Sequence, residues 1–427
     1  MTSRPLHAVQ FAPSAGEKMV AALAAALDGS GPAILPLDPD LPPAALERVL
    51  AAFRPAALET VTETRQLPAS PAGDTAARVA GDGALAEDAA RAKDGALAED
   101  AVLAQDTAVV VATSGSTGVP KGVQLSAAAL TASAAASLRR IGASPQDRWL
   151  CCLPTFHIAG IGVLVRSLLT GTEPVMAGSV TPESLAASGC TRVSLVPTQL
   201  RRLIDAGASP GALQTVLLGG AAAADGLLAE ARALGWPVVT TYGMSETSGG
   251  CVYEGVPLDG VQVRLGPGSG RIEISGPVLF SGYLVSGQAG EAGRAASVVV
   301  DGWFRTSDLG YWRPDGTLAV RGRIDDVINS GGEKVVPGEV EAVLGTCEGV
   351  ADVVVVGLPD PEWGEAVTAF VVAADPADPP ELDRLRSDVR EVLSAHAAPK
   401  RLVFVAEFPL LPSGKPDRAA LRRIGVQ

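Results

Sequence analysis

The sequence predicts an α/β protein, with a large N-terminal domain of layered sheets and helices and a small α+β C-terminal domain. Three observations carry this. From Thr107 onward short apolar runs alternate with helical stretches, the pattern of a largely parallel sheet covered by helices. Between Gly270 and Val320 the chain turns to shorter, aromatic-containing segments of antiparallel character. Past a charged junction at 321–326, a helix, two strands, a second helix and a further strand follow in a segment of ordinary domain size. We therefore set the domains at 1–324 and 325–427, within the two or three that 427 residues allow.

The elements read in order as follows. Ala/Leu spacing predicts helices over 18–27 and 44–53, separated by a strand at 33–37 and a Pro-rich run to 43. Residues 68–106 are rich in Ala, Asp, Glu and Gly, and the octapeptide DGALAEDA occurs at 82–89 and again at 94–101. Two copies are too few for a solenoid, so this segment reads as a low-complexity surface insertion. Strands are predicted at 108–112, 149–153, 193–196, 215–218 and 237–240, with helices at 182–187 and 221–234. Antiparallel strands are predicted at 271–274, 301–305 and 317–320. The small domain reads as helix 337–344, strands 353–357 and 369–372, helix 382–394 and strand 401–405.

Composition excludes several functions. The formal net charge is −13, which disfavours a nucleic-acid binder or a polybasic membrane anchor, since both need a basic face. Five Cys without a CxxC pair, and three His (His7, His157, His396) far apart in sequence, give no disulfide scaffold and no structural zinc site. The N-terminus lacks the apolar core of a secretory signal. The apolar stretch 158–169 is too short for a membrane span and contains Arg166. The expectation is a cytoplasmic enzyme without stable membrane insertion; a homodimer is compatible with it.

The strongest chemical signal is Thr113-Ser114-Gly115-Ser116-Thr117-Gly118-Val119-Pro120-Lys121, directly after a strand. Its glycines permit tight turns and free amide N–H groups to face an anion. Its hydroxyls add donors and Lys121 adds a positive charge. The spacing is not that of the Walker loop.

With this loop the chain resembles the adenylate-forming acyl-CoA synthetases, and the resemblance continues in order through YGMSET (242–247), WFRTSD (303–308), RGRIDD (321–326) and PSGK (412–415). It implies the adenylate-forming enzyme fold, a two-step reaction through an acyl-adenylate, and ATP, Mg2+ and coenzyme A as partners alongside a small carboxylic acid. It implies that residues Thr113 to Lys121 cradle phosphates, with Thr247 as a further hydroxyl donor, and that Glu246 holds Mg2+. Gly219, Gly220 and Ala221 would lie against adenine, with Tyr242 and Gly243 on its other side, while Asp308 and Arg323 would take the ribose. Lys415 would serve adenylation. The small domain would then rotate about Asp325, so that Gly331 and Gly332 line a CoA tunnel. His157 would gate the acyl pocket and act at the catalytic centre.

Three segments, 153–160, 194–200 and 248–253, would surround the acyl group. Their wording is closely similar to one branch of that family, the o-succinylbenzoate–CoA ligases of menaquinone biosynthesis. That acid carries a ring and two carboxylates, so one carboxylate needs an anchor. Thr198, Gln199, Arg201 and Arg202 are the candidates, with Ser248 and Gly249 beside them. A ligase for another aryl or short-chain acid, and a non-catalytic nucleotide-binding protein of the same fold, remain as alternatives.

Overall fold

In a computed structural model, the structure describes residues 4–67, 103–114, 120–285, 299–411 and 414–426. The octapeptide repeat and Gly115, Ser116, Thr117 and Gly118 lie outside the described residues.

Among the described residues three sheets precede residue 324 and a fourth follows it. The first contains seven strands in the order Gly282–Val285, Pro120–Ser126, Thr107–Ser114, Ala33–Pro36, Leu6–Gln10, Ala57–Thr60 and Thr64–Gln66. The run from Thr107–Ser114 to Ala57–Thr60 is parallel, and Pro120–Ser126 joins it antiparallel. The second also has seven, in the order Val256–Pro257, Gly249–Tyr253, Val238–Met244, Thr215–Leu218, Arg192–Leu195, Trp149–Cys151 and Val175–Met176. Here the run from Val238–Met244 to Val175–Met176 is parallel. The predicted antiparallel material forms the third sheet, centred on Arg271–Ser275 and Trp303–Trp312.

Apolar strands facing both ways demand cover on both faces. Helices Gly16–Asp28, Ala127–Arg140 and Ile158–Thr170 supply it between the first two sheets, in a core joining Val109 and Leu125 to Leu130, Leu164, Trp149 and Tyr253. Sequence periodicity left Ile158–Thr170 unassigned because it is apolar on nearly every side; in the structure its middle, Gly160, Ile161 and Val163 to Ser167, is buried. Helix Ala127–Arg140 carries Ala and Ser where it meets its neighbours. Its Ser126 cap accepts from Ala129 N at 3.0 Å, and Ser137 Oγ and Tyr253 Oη lie 2.7 Å apart.

Two predicted elements need correction. The helix expected over 221–234 spans only Asp225–Ala233, because Gly220 turns the chain at φ +83° and 221–224 form the exit loop. The strand expected at 237–240 runs on to Met244, because it pairs with Gly249–Tyr253 through an irregularity at Tyr242/Gly243. Tyr242 and Gly243 thus belong to a strand end that is bent at a functional edge.

After Leu318–Arg323 a single 3-10 turn, Ile324–Asp326, leads into the small domain. Its sheet runs Glu333–Val335, Ile328–Ser330, Gly364–Ala373 and Val350–Asp360, with Arg401–Phe404 added parallel to Gly364–Ala373. Helices Pro337–Leu344 and Leu382–Val392 pack on it through Val340, Leu344, Leu385 and Val389. A further helix, Arg418–Val426, closes the chain. No helix among the described residues is long and apolar enough to cross a membrane.

Candidate functional site

The parallel strands Trp149–Cys151, Arg192–Leu195, Thr215–Leu218 and Val238–Met244 end along one edge of the second sheet. Open α/β sheets bind ligands outside the carboxyl ends of their strands. Residues 153–160, 196–200 and 219–221 are the segments that leave these ends.

Glycine is required at the exit of Thr215–Leu218. A Cβ at Gly219 would stand 2.2 Å from Thr241 Oγ1, and Gly220 has φ +83°. Tyr242, one strand over, donates its hydroxyl to Asp308 Oδ2 at 2.7 Å. Asp308 comes from the third sheet, where it pairs in register with Arg323. Its backbone N–H donates to Thr306 Oγ1 at 3.0 Å, and Arg323 lies 3.7 Å from Oδ1. Burial raises the Asp308 pKa, opposed by the Tyr242 hydrogen bond and by Arg323 and Lys415. The predicted nucleotide residues Gly219, Gly220, Tyr242, Asp308 and Arg323 therefore lie around one sheet end.

Glu246 sits in the 3-10 turn Ser245–Thr247 and accepts from the Tyr283 hydroxyl at 2.7 Å through Oε1. Lys121 stacks its ammonium over the same Tyr283 ring, 5.6 Å from the centroid. Thr113 pairs with Lys121 across the hairpin, its hydroxyl donating to the Lys121 carbonyl at 3.2 Å. Tyr283 thus links the base of the predicted phosphate loop to Glu246. Among the described residues no three His, Cys, Asp or Glu gather into a metal cage. A single carboxylate with one oxygen held by a tyrosine suits Mg2+, which takes few protein ligands and completes its shell with phosphate oxygens and water.

Lys415 enters this site from the small domain. Its Cε lies 3.8 Å from where a Cβ at Gly220 would stand. It keeps solvent contact in the cleft, yet the protein around it, together with the positive Arg323, lowers its ammonium pKa; Asp308 and Glu246 act in the opposite direction. His157 precedes helix Ile158–Thr170 and packs on Phe156 with ring centroids 4.6 Å apart. Partial burial, then Lys415, lowers its pKa and favours neutral imidazole. Its Nε2 is buried with no hydrogen-bond partner among the described residues.

Several predicted hydroxyls and amides are taken up by the fold. Thr247 is fully buried and donates to Gly249 O at 2.7 Å while accepting from Met244 N. Ser248, at φ +54°, donates to Val278 O at 2.8 Å. Gln199 Oε1 accepts from Val196 N at 3.1 Å, and Thr198 Oγ1 donates to Gly414 O at 3.2 Å. Arg201 pairs with Asp205 and Glu230 at 2.9 and 2.6 Å, and Arg202 is exposed. Gly249, at φ +103°, stands open beside Ile158.

The residue that sequence reasoning passed over is Arg166. It is buried in helix Ile158–Thr170, donates to Ser194 Oγ at 3.0 Å, and stacks on Trp149 at 4.4 Å. No carboxylate pairs with it among the described residues, its Nε has no partner, and burial lowers its pKa. A buried cation without an anion is costly. Arg166 lies in the helix that begins inside segment 153–160, bonds to Ser194 of the second predicted acyl segment, and interacts electrostatically with Tyr253 of the third. The signal was available: a lone Arg in an otherwise apolar run.

Asp325 lies in the interdomain 3-10 turn and pairs with Arg323 at 3.1 Å. Gly331 and Gly332 form the two-residue tip between Ile328–Ser330 and Glu333–Val335, with φ of +63° and +86°. Both positive angles suit the tight hairpin turn glycine favours. The nearest side chains to a Cβ at Gly331 belong to Trp363 and His396.

Comparison with known proteins agrees with this geometry. The AMP-binding enzyme family profile matches residues 10–284, and that of the AMP-binding enzyme C-terminal domain matches 339–415. A probable 2-succinylbenzoate–CoA ligase of Mycobacterium tuberculosis is 46% identical over 330 residues, spanning 74% of this chain and 84% of that protein. A 2-succinylbenzoate–CoA ligase of Listeria monocytogenes is 35% identical over 333 residues, spanning 74% and 69%. The structure of o-succinylbenzoate CoA synthetase from Bacillus subtilis, in complex with the acyl-adenylate intermediate OSB-AMP, superposes with TM-score 0.74 at 27% identity, covering 99% of this chain and 89% of that one. The chain therefore belongs to the AMP-binding enzyme family, the adenylate-forming enzymes that its motifs resemble.

Proposed function

We propose that the protein is an ATP-dependent, AMP-forming acid–thiol ligase that converts o-succinylbenzoate to its CoA thioester for menaquinone biosynthesis. One observation carries the reading: Lys415 of the small domain extends over Gly220 toward Asp308 and Glu246, in a chain 46% identical to a probable ligase for that acid.

In the first step a carboxylate oxygen of the acid attacks the α-phosphorus of ATP, the bond to the β-phosphate oxygen breaks, and pyrophosphate leaves. Two anions must meet, so the chemistry depends on positioning and on neutralising charge. Asp308 accepts the ribose hydroxyls, held in place by Tyr242 and with Arg323 beside it. Gly219, Gly220 and Ala221 admit the base against bare backbone. Residues Thr113 to Lys121 cradle the phosphates, and Lys415 lies where charge builds between carboxylate and α-phosphate. Glu246, oriented by Tyr283, would hold Mg2+. That ion, when bound, supplies positive charge to the departing pyrophosphate.

In the second step the CoA sulfur attacks the acyl carbonyl carbon, the carbon–oxygen bond to phosphate breaks, AMP leaves and the thiol proton is released. Lys415 must withdraw for the thiol to enter. We place the domain boundary between 324 and 325, with Asp325 as pivot and the Gly331–Gly332 tip as the passage brought to the acyl group. His157, its pKa lowered toward neutral imidazole and its buried Nε2 without a partner among the described residues, would stand at the acyl pocket. We assign the second carboxylate of the acid to Arg166, the buried cation that has no anionic partner among the described residues. ATP and CoA as substrates put the reaction in the cytoplasm.

The test is pyrophosphate release measured across a panel of acids with the purified enzyme. The expected result is stimulation by o-succinylbenzoate above benzoate and short-chain acids. Stimulation by another acid alone would overturn the substrate. Nucleotide binding with no release on any acid would mean a non-catalytic protein.

A further inference from the structure

We infer that Thr198 is a positioning residue for adenylation: it latches the lysine loop of the small domain onto the large one, rather than binding the acid. The inference rests on the role proposed above for Lys415. Thr198 stands in the first turn of helix Pro197–Asp205, and its hydroxyl donates to the carbonyl of Gly414, the residue immediately before Lys415, at 3.2 Å. A carbonyl at that point also meets the positive end of the helix.

The surroundings are built for this contact. Gly414 has φ +78°, and a Cβ there would stand 3.0 Å from Val196 Cγ2 and 3.8 Å from Thr198 Oγ1. Val196 Cγ1 lies 3.3 Å from the position a Cβ would take at Gly220, under the Lys415 stem. The loop is folded back on itself, with Leu411 N donating to Lys415 O and Gly414 N to Leu411 O, both at 2.8 Å. Docking of Gly414 on Thr198 and Val196 therefore fixes the root of the lysine side chain. When the small domain rotates, this hydrogen bond must open, so it stabilises one of the two orientations only.

Thr198→Val removes the hydroxyl and keeps the shape. The expected result is a fall of about tenfold in the rate of adenylate formation, with the acid KM within about twofold. Thioester formation from supplied acyl-adenylate should stay unchanged, and Thr198→Ser should restore adenylation. Gly414→Ala, which disturbs the same contact from the other side, should reproduce the split between half-reactions. A raised acid KM at unchanged kcat would overturn the inference in favour of acid binding; equal loss in both half-reactions would overturn it in favour of general damage. Lys415→Ala tests the underlying reading separately. If that variant still forms adenylate at the original rate, the role of the lysine fails, whatever Thr198→Val does.

Discussion

The Tyr242 hydroxyl and Asp308 Oδ2 are 2.7 Å apart, and this one hydrogen bond ties the end of the parallel sheet to the antiparallel one. Burial raises the Asp308 pKa and the Tyr242 bond holds it down. Tyr242→Phe should let it climb further. The ionised acceptor for the ribose is then lost at a higher pH as the solution is acidified, so the acid limb of kcat/KM for ATP moves up. A loss of roughly tenfold in ATP affinity near neutrality is expected for a hydrogen bond to a charged group. A pH series of KM for ATP in both proteins checks it.

In the role proposed above Lys415 acts as a cation; although its side chain is exposed, the protein around it and then Arg323 lower its pKa. Adenylation should therefore decline on the basic side, as pH rises through that lowered value. In the proposed second step the lysine is withdrawn, so thioester formation from supplied adenylate should lack this limb. Parallel pH profiles of pyrophosphate release and thioester formation separate the two steps; a shared basic limb at the same pH would contradict the assignment.

Arg166→Met should raise the KM for o-succinylbenzoate by about ten- to a hundredfold, the range of a charge-assisted hydrogen bond, and leave KM for ATP unaltered. A ring acid lacking the second carboxylate should be indifferent to the change. Steady-state kinetics with both acids tests the difference.

Asp147 and Arg192 form an ion pair at 3.1 Å, both side chains buried. Ser144 N and Thr191 Oγ1 also donate to Asp147, at 2.7 and 2.8 Å. Asp147→Ala leaves Arg192 buried without its anion and should destabilise the large domain by about 3–5 kcal/mol. In the parent protein, burial alone would raise the Asp147 pKa, but its hydrogen bonds and Arg192 bring it below the ordinary value. The contribution is therefore present above about pH 4, the unfolded carboxyl range, and is lost as pH falls through the depressed folded value. Chemical denaturation at pH 7 and pH 3 reads both effects.

Much of this was legible in the chain because each motif needs a particular backbone. Gly219 and Gly220 stand where side chains would strike Thr241 or require a positive φ, and Asp308 and Arg323 are neighbours because two strands pair there. The acyl pocket was harder to read. Ser248 and Gln199 have the right chemistry, but their polar atoms serve a turn and a cap, and only the folded chain reveals that. Arg201 likewise turns to Asp205 and Glu230. Arg166 escaped notice because three sheet ends, distant in sequence, give it its setting. The start of helix Asp225–Ala233 was misplaced because alanines after a glycine turn carry helix propensity without a helix to join.

At the junction of the domains, backbone meets backbone. A Cβ on Gly338 would strike the Arg321 carbonyl, and beside it Arg321 Nε pairs with Glu339 at 2.6 Å. Surfaces that touch without interlocking side chains can slide apart without opening a cavity in either partner. A half-exposed ion pair of this kind contributes at most about 1 kcal/mol. For the rotation proposed above, this junction would offer little resistance, and a bulky residue at 338 should block that rotation with both chemical centres left intact.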